Sequence, residues 1–436
     1  MSLEEQETYE VILDHEISYR HVLDILSGTK IVDKIPEIGV YYVLSNEKIK
    51  ELKREKKVIS VQKEASVSMD KVHLRSANNN LFHNEKEKIK SIWDKQWDIK
   101  KVTNNGMSHK IHEISNNISV AIIDSGIEYN HKDLKKSILR KSKNMVPKMG
   151  YNSLEEYEYG KIDDIQDKMG HGTAVAGQIS ADGEMKGIAP GLGINIYRVF
   201  GKKKAKTSWI IKAIIEATKD GNQIINLSFG EYILYNGLFE DDKNDNTKYD
   251  AYYKAIEFAH NNGSIVVSTM GNEGADVRDK KLMHEVIEYK TLKSIKHYGE
   301  VYDCPNNFNK TISVASSLPE SESVISEFSN YGSSVDFIAP AGTLDSYYKL
   351  GYQEFISKKK YENEWVLSTH LENSYNYFFG NSFATPKVSA TLALLIDKYD
   401  LYHNIDLAVS YLKRSSIKSD DAYILNSYCS LTYSYT

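Results

Sequence analysis

Six short, unbroken apolar runs constrain the fold of this 436-residue chain more than any other feature: ISVAIID (118–124), GINIYRVF (193–200), QIINLSF (223–229), SIVVSTM (264–270), KTISVAS (310–316) and SVDFIAP (334–340). A strand with one wet face alternates apolar and polar residues, whereas a strand buried on both faces does not, and strands of the second kind belong to parallel sheets covered by helices. Helix-like segments such as WIIKAIIEATKDG and YDAYYKAIEFAHNNG lie between the runs, each closed by a glycine, the residue that best accepts the left-handed turn past a helix end. This order predicts an α/β fold with a central parallel sheet. Functional groups then belong at the carboxyl ends of its strands.

Ahead of these runs the pattern is finer. Residues 1 to about 70 read as apolar YEVIL (9–13), helix-like SYRHVLDIL (18–26), strand-like TKIVDKI and GVYYVLS, helix-like NEKIKELKREKK, then VISVQ (58–62). That is β-α-β-β-α-β, a small α+β unit. A polar connector, SMDKVHLRSANNNLFHNEKEK, follows it, so we divide the chain into a domain at 1–75, a linker at 76–92 and a larger domain at 93–436. Three polar stretches, roughly 141–169, 231–250 and 275–303, interrupt the larger pattern and read as surface loops.

Charge and cysteine content narrow the function. Lys+Arg 55 against Asp+Glu 60 gives a net charge of −5, with no positive field to attract nucleic acid. Cys304 and Cys429 are the only cysteines, too few for a disulfide framework and without metal-ligand spacing, which suits a reducing compartment. The acidic start MSLEEQETYEVILDHE lacks the basic and apolar regions of a signal peptide, and no window holds the roughly 18 apolar residues of a membrane span. A cytoplasmic protein with no membrane partner is the expectation.

Several short motifs carry chemistry. Asp124 ends ISVAIID, where a parallel strand opens onto the functional edge of a sheet; taken alone, D-S-G is also an ordinary capped turn. His171 opens HGTAVAGQISA, in which Gly172 and Gly177 allow close backbone approach. Asn272 follows a strand in GNEG, which alone reads as a turn. Ser382 sits in GNSFATP at a helix start, near unpaired N–H groups and the positive end of the helix dipole. A serine there can be simply an N-cap. Pro386 is tolerated in the first turn because its missing N–H leaves little to lose. Beside a serine nucleophile, the Asn272 amide and the Ser382 backbone N–H are the two donors a tetrahedral oxyanion needs.

Together IIDSGI, HGTAVAGQISA, NLSFG, GNEG and GNSFATP resemble the signature set of subtilisin-type serine proteases, in that family's order Asp, His, Ser. QWDIKKVTNNG (96–106), the segment 143–181 and SVDFIAPAG are further similar to the lantibiotic leader peptidases, which remove leader peptides from lanthionine-containing precursors. The resemblance implies a doubly wound, mostly parallel sheet with helices on both faces and an amino-terminal domain like the family's propeptide, which assists folding and blocks the cleft. It implies that Asp124 orients His171, that His171 takes the proton of Ser382, and that Ser382 forms an acyl-enzyme. It assigns the oxyanion to Asn272 and Ser382 and the extended peptide substrate to Leu227, Ser228, Phe229 and Gly230, with Gly230 leaving room for the side chain before the cut. No cofactor is implied. Calcium is common in relatives, yet no aspartate-rich loop here has ligand spacing. Where the family usually has threonine and methionine beside the nucleophile, this chain has Asn381 and Phe383, from which we expect altered packing.

Two other functions share these motifs. A general intracellular degradative protease would cut unfolded chains at many sites, and a non-catalytic peptide-binding module would keep the fold without the chemistry. All three triad positions hold competent residues, which disfavours the second.

Overall fold

The computed structural model describes residues 7–14, 17–44, 48–68, 91–202, 204–332, 334–419 and 422–435. Between 7 and 68 an antiparallel sheet runs in the order Lys30–Ile35, Val40–Leu44, Thr8–Leu13, Val58–Lys63. Successive side chains of a strand point to opposite faces, and here both faces are covered. Val11, Leu13, Tyr41 and Val43 pack on the unit's own helices through Val22, Leu26, Ile49 and Leu52. Ile12, Val40 and Tyr42 face the other way and share a core with Ile210, Ile214 and Ala255 of the larger domain. The linker predicted at 76–92 lies outside the described residues except for its last two. Just before it, Ser66–Ser68 pairs antiparallel with Lys204–Lys206.

The larger domain is built on a nine-stranded sheet in the order Ile417–Ser419, Ala422–Ile424, Phe337–Pro340, Thr311–Ser317, Ile265–Thr269, Ile224–Leu227, Ser119–Asp124, Gly193–Arg198, Lys143–Asn144. All neighbours are parallel except the first pair. The helices His171–Ser180 and Thr385–Lys398 cover one face through Val175, Ile179, Val388 and Leu392. Thr207–Lys219 and Asn246–Asn261 cover the other, and both end where Gly221 and Gly263 turn left-handed, at φ 81° and 80°. Leu227 stands in register with Ile123 on one side and Ser268 on the other. The segments that follow these three strands therefore open on one rim.

Two of the polar stretches are not plain loops. Glu231–Tyr235 pairs with Glu300–Cys304, Leu238–Phe239 pairs with Ile295–His297, and Lys280–Thr291 is a helix over them. They have a small core of their own, with Tyr232, Leu234, Phe239, Met283 and Ile287 buried together. The apolar run at 232–235 is short and is followed by the polar segment 240–248, so it does not stand out as a strand of the main pattern.

On the docking face of the amino-terminal unit Glu10 is 3% exposed and accepts the Tyr42 hydroxyl at 2.7 Å. Burial pushes its pKa up to about 8, helped by Glu64 and Glu231 and opposed by the Tyr42 bond and Lys248. A carboxyl raised on folding stabilises fully below its unfolded value of about 4.3, and that contribution is lost as pH climbs through the folded value. Glu10→Gln, neutral throughout, is expected to raise Tm at about pH 8.5 and to leave it nearly unchanged at about pH 4.5 in calorimetry. An equal shift at both would contradict a buried, protonated Glu10.

Candidate active site

Asp124 is the last residue of its strand and His171 the first of its helix, and their side chains meet. Nδ1 of His171 lies 2.9 and 3.0 Å from the two Asp124 carboxylate oxygens. The side chains are 0% and 3% exposed. An ionised carboxylate in such a place needs a partner, or its desolvation goes uncompensated.

The approach depends on glycine. A Cβ on Gly172 would stand 2.2 Å from the Gly126 carbonyl and 3.2 Å from the Asp124 Cβ, and one on Gly177 would stand 2.3 Å from Thr369 Oγ1. A residue that the sequence motifs did not mark, Asp167, fastens the helix start. One carboxylate oxygen accepts from the Ser125 hydroxyl at 2.9 Å and from the Met169 and Gly170 N–H groups at 2.8 Å each; the other accepts from the Thr173 N–H and hydroxyl at 2.9 and 2.7 Å. The Ser125 hydroxyl in turn accepts the Gly172 N–H at 2.9 Å. No local motif marks Asp167, which stands three residues ahead of the N-cap Gly170 and outside the usual capping positions.

Ser382 lies in the single turn Asn381–Phe383 that leads into the helix Thr385–Lys398, with Pro386 in that helix's first turn. Ser382 and His171 line one cavity of about 430 Å³, together with Ser228, Phe229, Gly230 and Asn272. The Ser382 hydroxyl donates to the Ser228 carbonyl at 2.7 Å, rather than to His171. Leu227 does not reach the cavity; its side chain is buried in the core at the end of its strand. Phe229 is largely in that core too, edge-on to Phe200 at 5.0 Å. Phe383 packs its ring 5.7 Å from that of His171 and 5.0 Å from that of Phe378. Asn272 Oδ1 accepts the Asn381 N–H at 3.0 Å, which leaves the Asn272 NH2 to donate elsewhere.

Five carboxylates line the cavity, and four have ammonium partners: Glu64 with Lys206, Glu231 and Asp245 with Lys248, Glu273 with Lys290. Asp303 has no cation partner among the described residues. It accepts from the Gly271 N–H at 2.8 Å and from the Asn306 and Asn330 amides at 3.1 and 3.2 Å. Burial pushes its pKa up to about 7, against those bonds. Its Oδ1 would be 3.5 Å from a Cβ on Gly230. Among the described residues no group of three or more His, Cys, Asp and Glu side chains is arranged to hold a metal ion.

Residues 115–427 match the model of the Subtilase family. The chain belongs to this family of serine endopeptidases. It is 44% identical over 328 residues to the nisin leader peptide-processing serine protease NisP of Lactococcus lactis subsp. lactis, covering 74% of this chain and 47% of the relative, so it spans about half the length of that protein. It is 36% identical over 425 residues to the epidermin leader peptide-processing serine protease EpiP of Staphylococcus epidermidis, covering 96% of this chain and 89% of the relative. Among solved structures, EpiP from Staphylococcus aureus superposes with a TM-score of 0.85 at 33% identity over 99% of both chains. The nisin leader peptidase NisP from Lactococcus lactis superposes with 0.75 at 43% identity, over 78% of this chain and 94% of that one. The subtilisin-like, mostly parallel architecture is common to them.

Burial disfavours the charged form of His171, but the charge and hydrogen bond of Asp124, with the nearby charge of Asp167, outweigh it and raise the imidazole pKa above its ordinary value. A general base must be neutral, so for His171 in the role the family resemblance implies, the acid limb of kcat/KM is expected above about pH 6.5. Asp167→Asn removes one of the charges and is expected to move that limb toward acid in a pH–rate profile. An unmoved limb would contradict the assignment.

Proposed function

We propose that this chain is a serine endopeptidase that removes the leader peptide from a lanthionine-containing precursor. The reading is supported above all by likeness to the epidermin leader protease along nearly the whole chain, in a protein whose His171 bonds Asp124 and lines one cavity with Ser382. In this mechanism Ser382 Oγ leaves the Ser228 carbonyl, gives its proton to Nε2 of His171 and bonds to the peptide carbonyl carbon. Asp124 accepts the His171 Nδ1–H and stabilises the imidazolium. The Ser382 N–H and the Asn272 amide donate to the oxyanion. His171 then protonates the departing amine, and water, activated by the same imidazole, hydrolyses the ester. In this reading the chemistry is carried by the protein's own side chains and one backbone N–H and asks for no cofactor.

The peptide enters extended between Lys204–Lys206 and Ser228–Gly230, as an added strand. The amino-terminal unit already uses that edge. Its Ser66–Ser68 pairs with Lys204–Lys206, and its residues 62–68 share the cavity with His171 and Ser382, so in this reading the unit blocks the cleft until displaced. Glu231 is taken by Lys248 and by the Tyr252 hydroxyl at 2.8 and 2.9 Å. Asp303 beside Gly230 is the acid free to meet a cationic side chain before the cut. Two free thiols, Cys304 and Cys429, suit a cytoplasmic setting. Among the described residues no helix is long and apolar enough to cross a membrane.

The experiment is mass spectrometry of products from leader-bearing precursors, modified and unmodified, beside casein. A single cut at the leader junction, lost in Ser382→Ala, is expected; many cuts in casein would favour a general degradative protease, resembling the major intracellular serine protease of Bacillus subtilis, to which the chain is 30% identical over 285 residues. For substrates with arginine or lysine before the cut, Asp303→Asn is expected to lower kcat/KM at least about tenfold, roughly 1.4 kcal/mol. Equal turnover of cationic and apolar substrates by the unaltered enzyme would remove Asp303 from recognition.

A further inference from the structure

The residue preceding the nucleophile does more than fill space. Asn381 is 0% exposed, and its side-chain amide is fully engaged with the ends of two neighbouring strands. Its Nδ2 donates to the Gly271 carbonyl at 2.7 Å and the Met270 carbonyl at 3.2 Å, and its Oδ1 accepts the Ser316 N–H at 2.6 Å. Its backbone N–H donates to Asn272 Oδ1 at 3.0 Å, and its carbonyl accepts the Ala384 N–H at 3.0 Å and the Thr385 hydroxyl at 3.1 Å. One residue therefore ties the turn that carries Ser382 to the two peptide groups just before Asn272, and also holds the carbonyl end of the Asn272 amide.

We propose that Asn381 is a positioning residue for the oxyanion site: it fixes the Ser382 N–H and the Asn272 NH2 relative to one another, so that both donors are aimed before charge develops. The inference rests on the proposed roles of Ser382 and Asn272. Preorganised donors act on the transition state rather than on the ground state. A loosened Asn381 should therefore lower kcat while leaving KM nearly alone. Threonine has one hydroxyl and cannot bond three backbone groups on two strands. Aspartate keeps the acceptor for Ser316 but turns a carboxylate toward two carbonyls.

The test is a double-mutant cycle on the full chain with a leader-derived peptide, using Asn381→Ala, Asn272→Ala and the double variant, with Asn381→Thr run in parallel in case alanine fails to melt cooperatively. Asn381→Ala or Asn381→Thr is expected to lower kcat about 10- to 100-fold with KM within about twofold, and affinity for a peptide boronate to fall in proportion to kcat. In the Asn272→Ala background the same change is expected to cost at most about threefold, because one of its two beneficiaries is already gone. Losses that multiply in the double variant, a rise in KM with kcat unchanged, or a kcat within about twofold of the unaltered enzyme would each overturn the proposal. If Asn272→Ala alone left kcat unchanged, or Ser382→Ala still cleaved, the underlying site assignment would be what failed, and the Asn381 role would fall with it.

Discussion

A buried carboxylate facing an imidazole sets the terms for the rest of this structure. Asp124 gives up water at the end of a central strand, and its compensation is the His171 Nδ1–H at 2.9 Å with the Ser125 N–H at 2.6 Å. Both partners must be held within tenths of an ångström, because an ion left unpaired in such a place costs several kcal/mol. That requirement explains the glycine at 172, where a side chain would strike the Gly126 carbonyl. It also explains the saturated carboxylate of Asp167, which fixes the helix start carrying His171 to the strand end carrying Asp124.

The nucleophile's side of the rim is held by comparable means. Lys387, one turn past Ser382, is 0% exposed; it donates to the Phe383 carbonyl at 2.8 Å and pairs with buried Asp98 at 2.9 Å. Burial nevertheless pulls the Lys387 pKa down, in spite of Asp98. A pair of this kind is more a device for registering two helices than a source of stability. It joins the helix Trp97–Val102, which opens the larger domain, to the helix behind the nucleophile. With Asn381 on the opposite side of the turn, Ser382 is located by segments distant in the chain, while its hydroxyl keeps an acceptor, the Ser228 carbonyl, along the path of the proposed substrate.

Much of the sheet was legible because strands buried on both faces leave continuous apolar runs, and because Asp124 and Asn272 stand at or just past the ends of such runs. The glycines beside His171 were legible as close approaches before their contacts were known. The surroundings of Asp303 and Asn381 were not, since they include groups as far as 32 and 110 residues away in the chain, and sequence spacing carries no trace of such contacts. Leu227 was named for its backbone, as part of the edge an extended peptide would pair with; its side chain turns into the core, as a strand's last residue can. The paired segments Glu231–Tyr235 and Glu300–Cys304 escaped notice because each is only 5 residues long and lies in a largely polar stretch.

The proposed cleavage requires Ser382 to be the one activated hydroxyl at this rim. The most direct test is to label the folded protein with a fluorophosphonate and locate the adduct by peptide mass mapping, with the His171→Ala variant as control. A single adduct on Ser382, greatly slowed in the variant, is the predicted result. No adduct, or one on another serine, would contradict it.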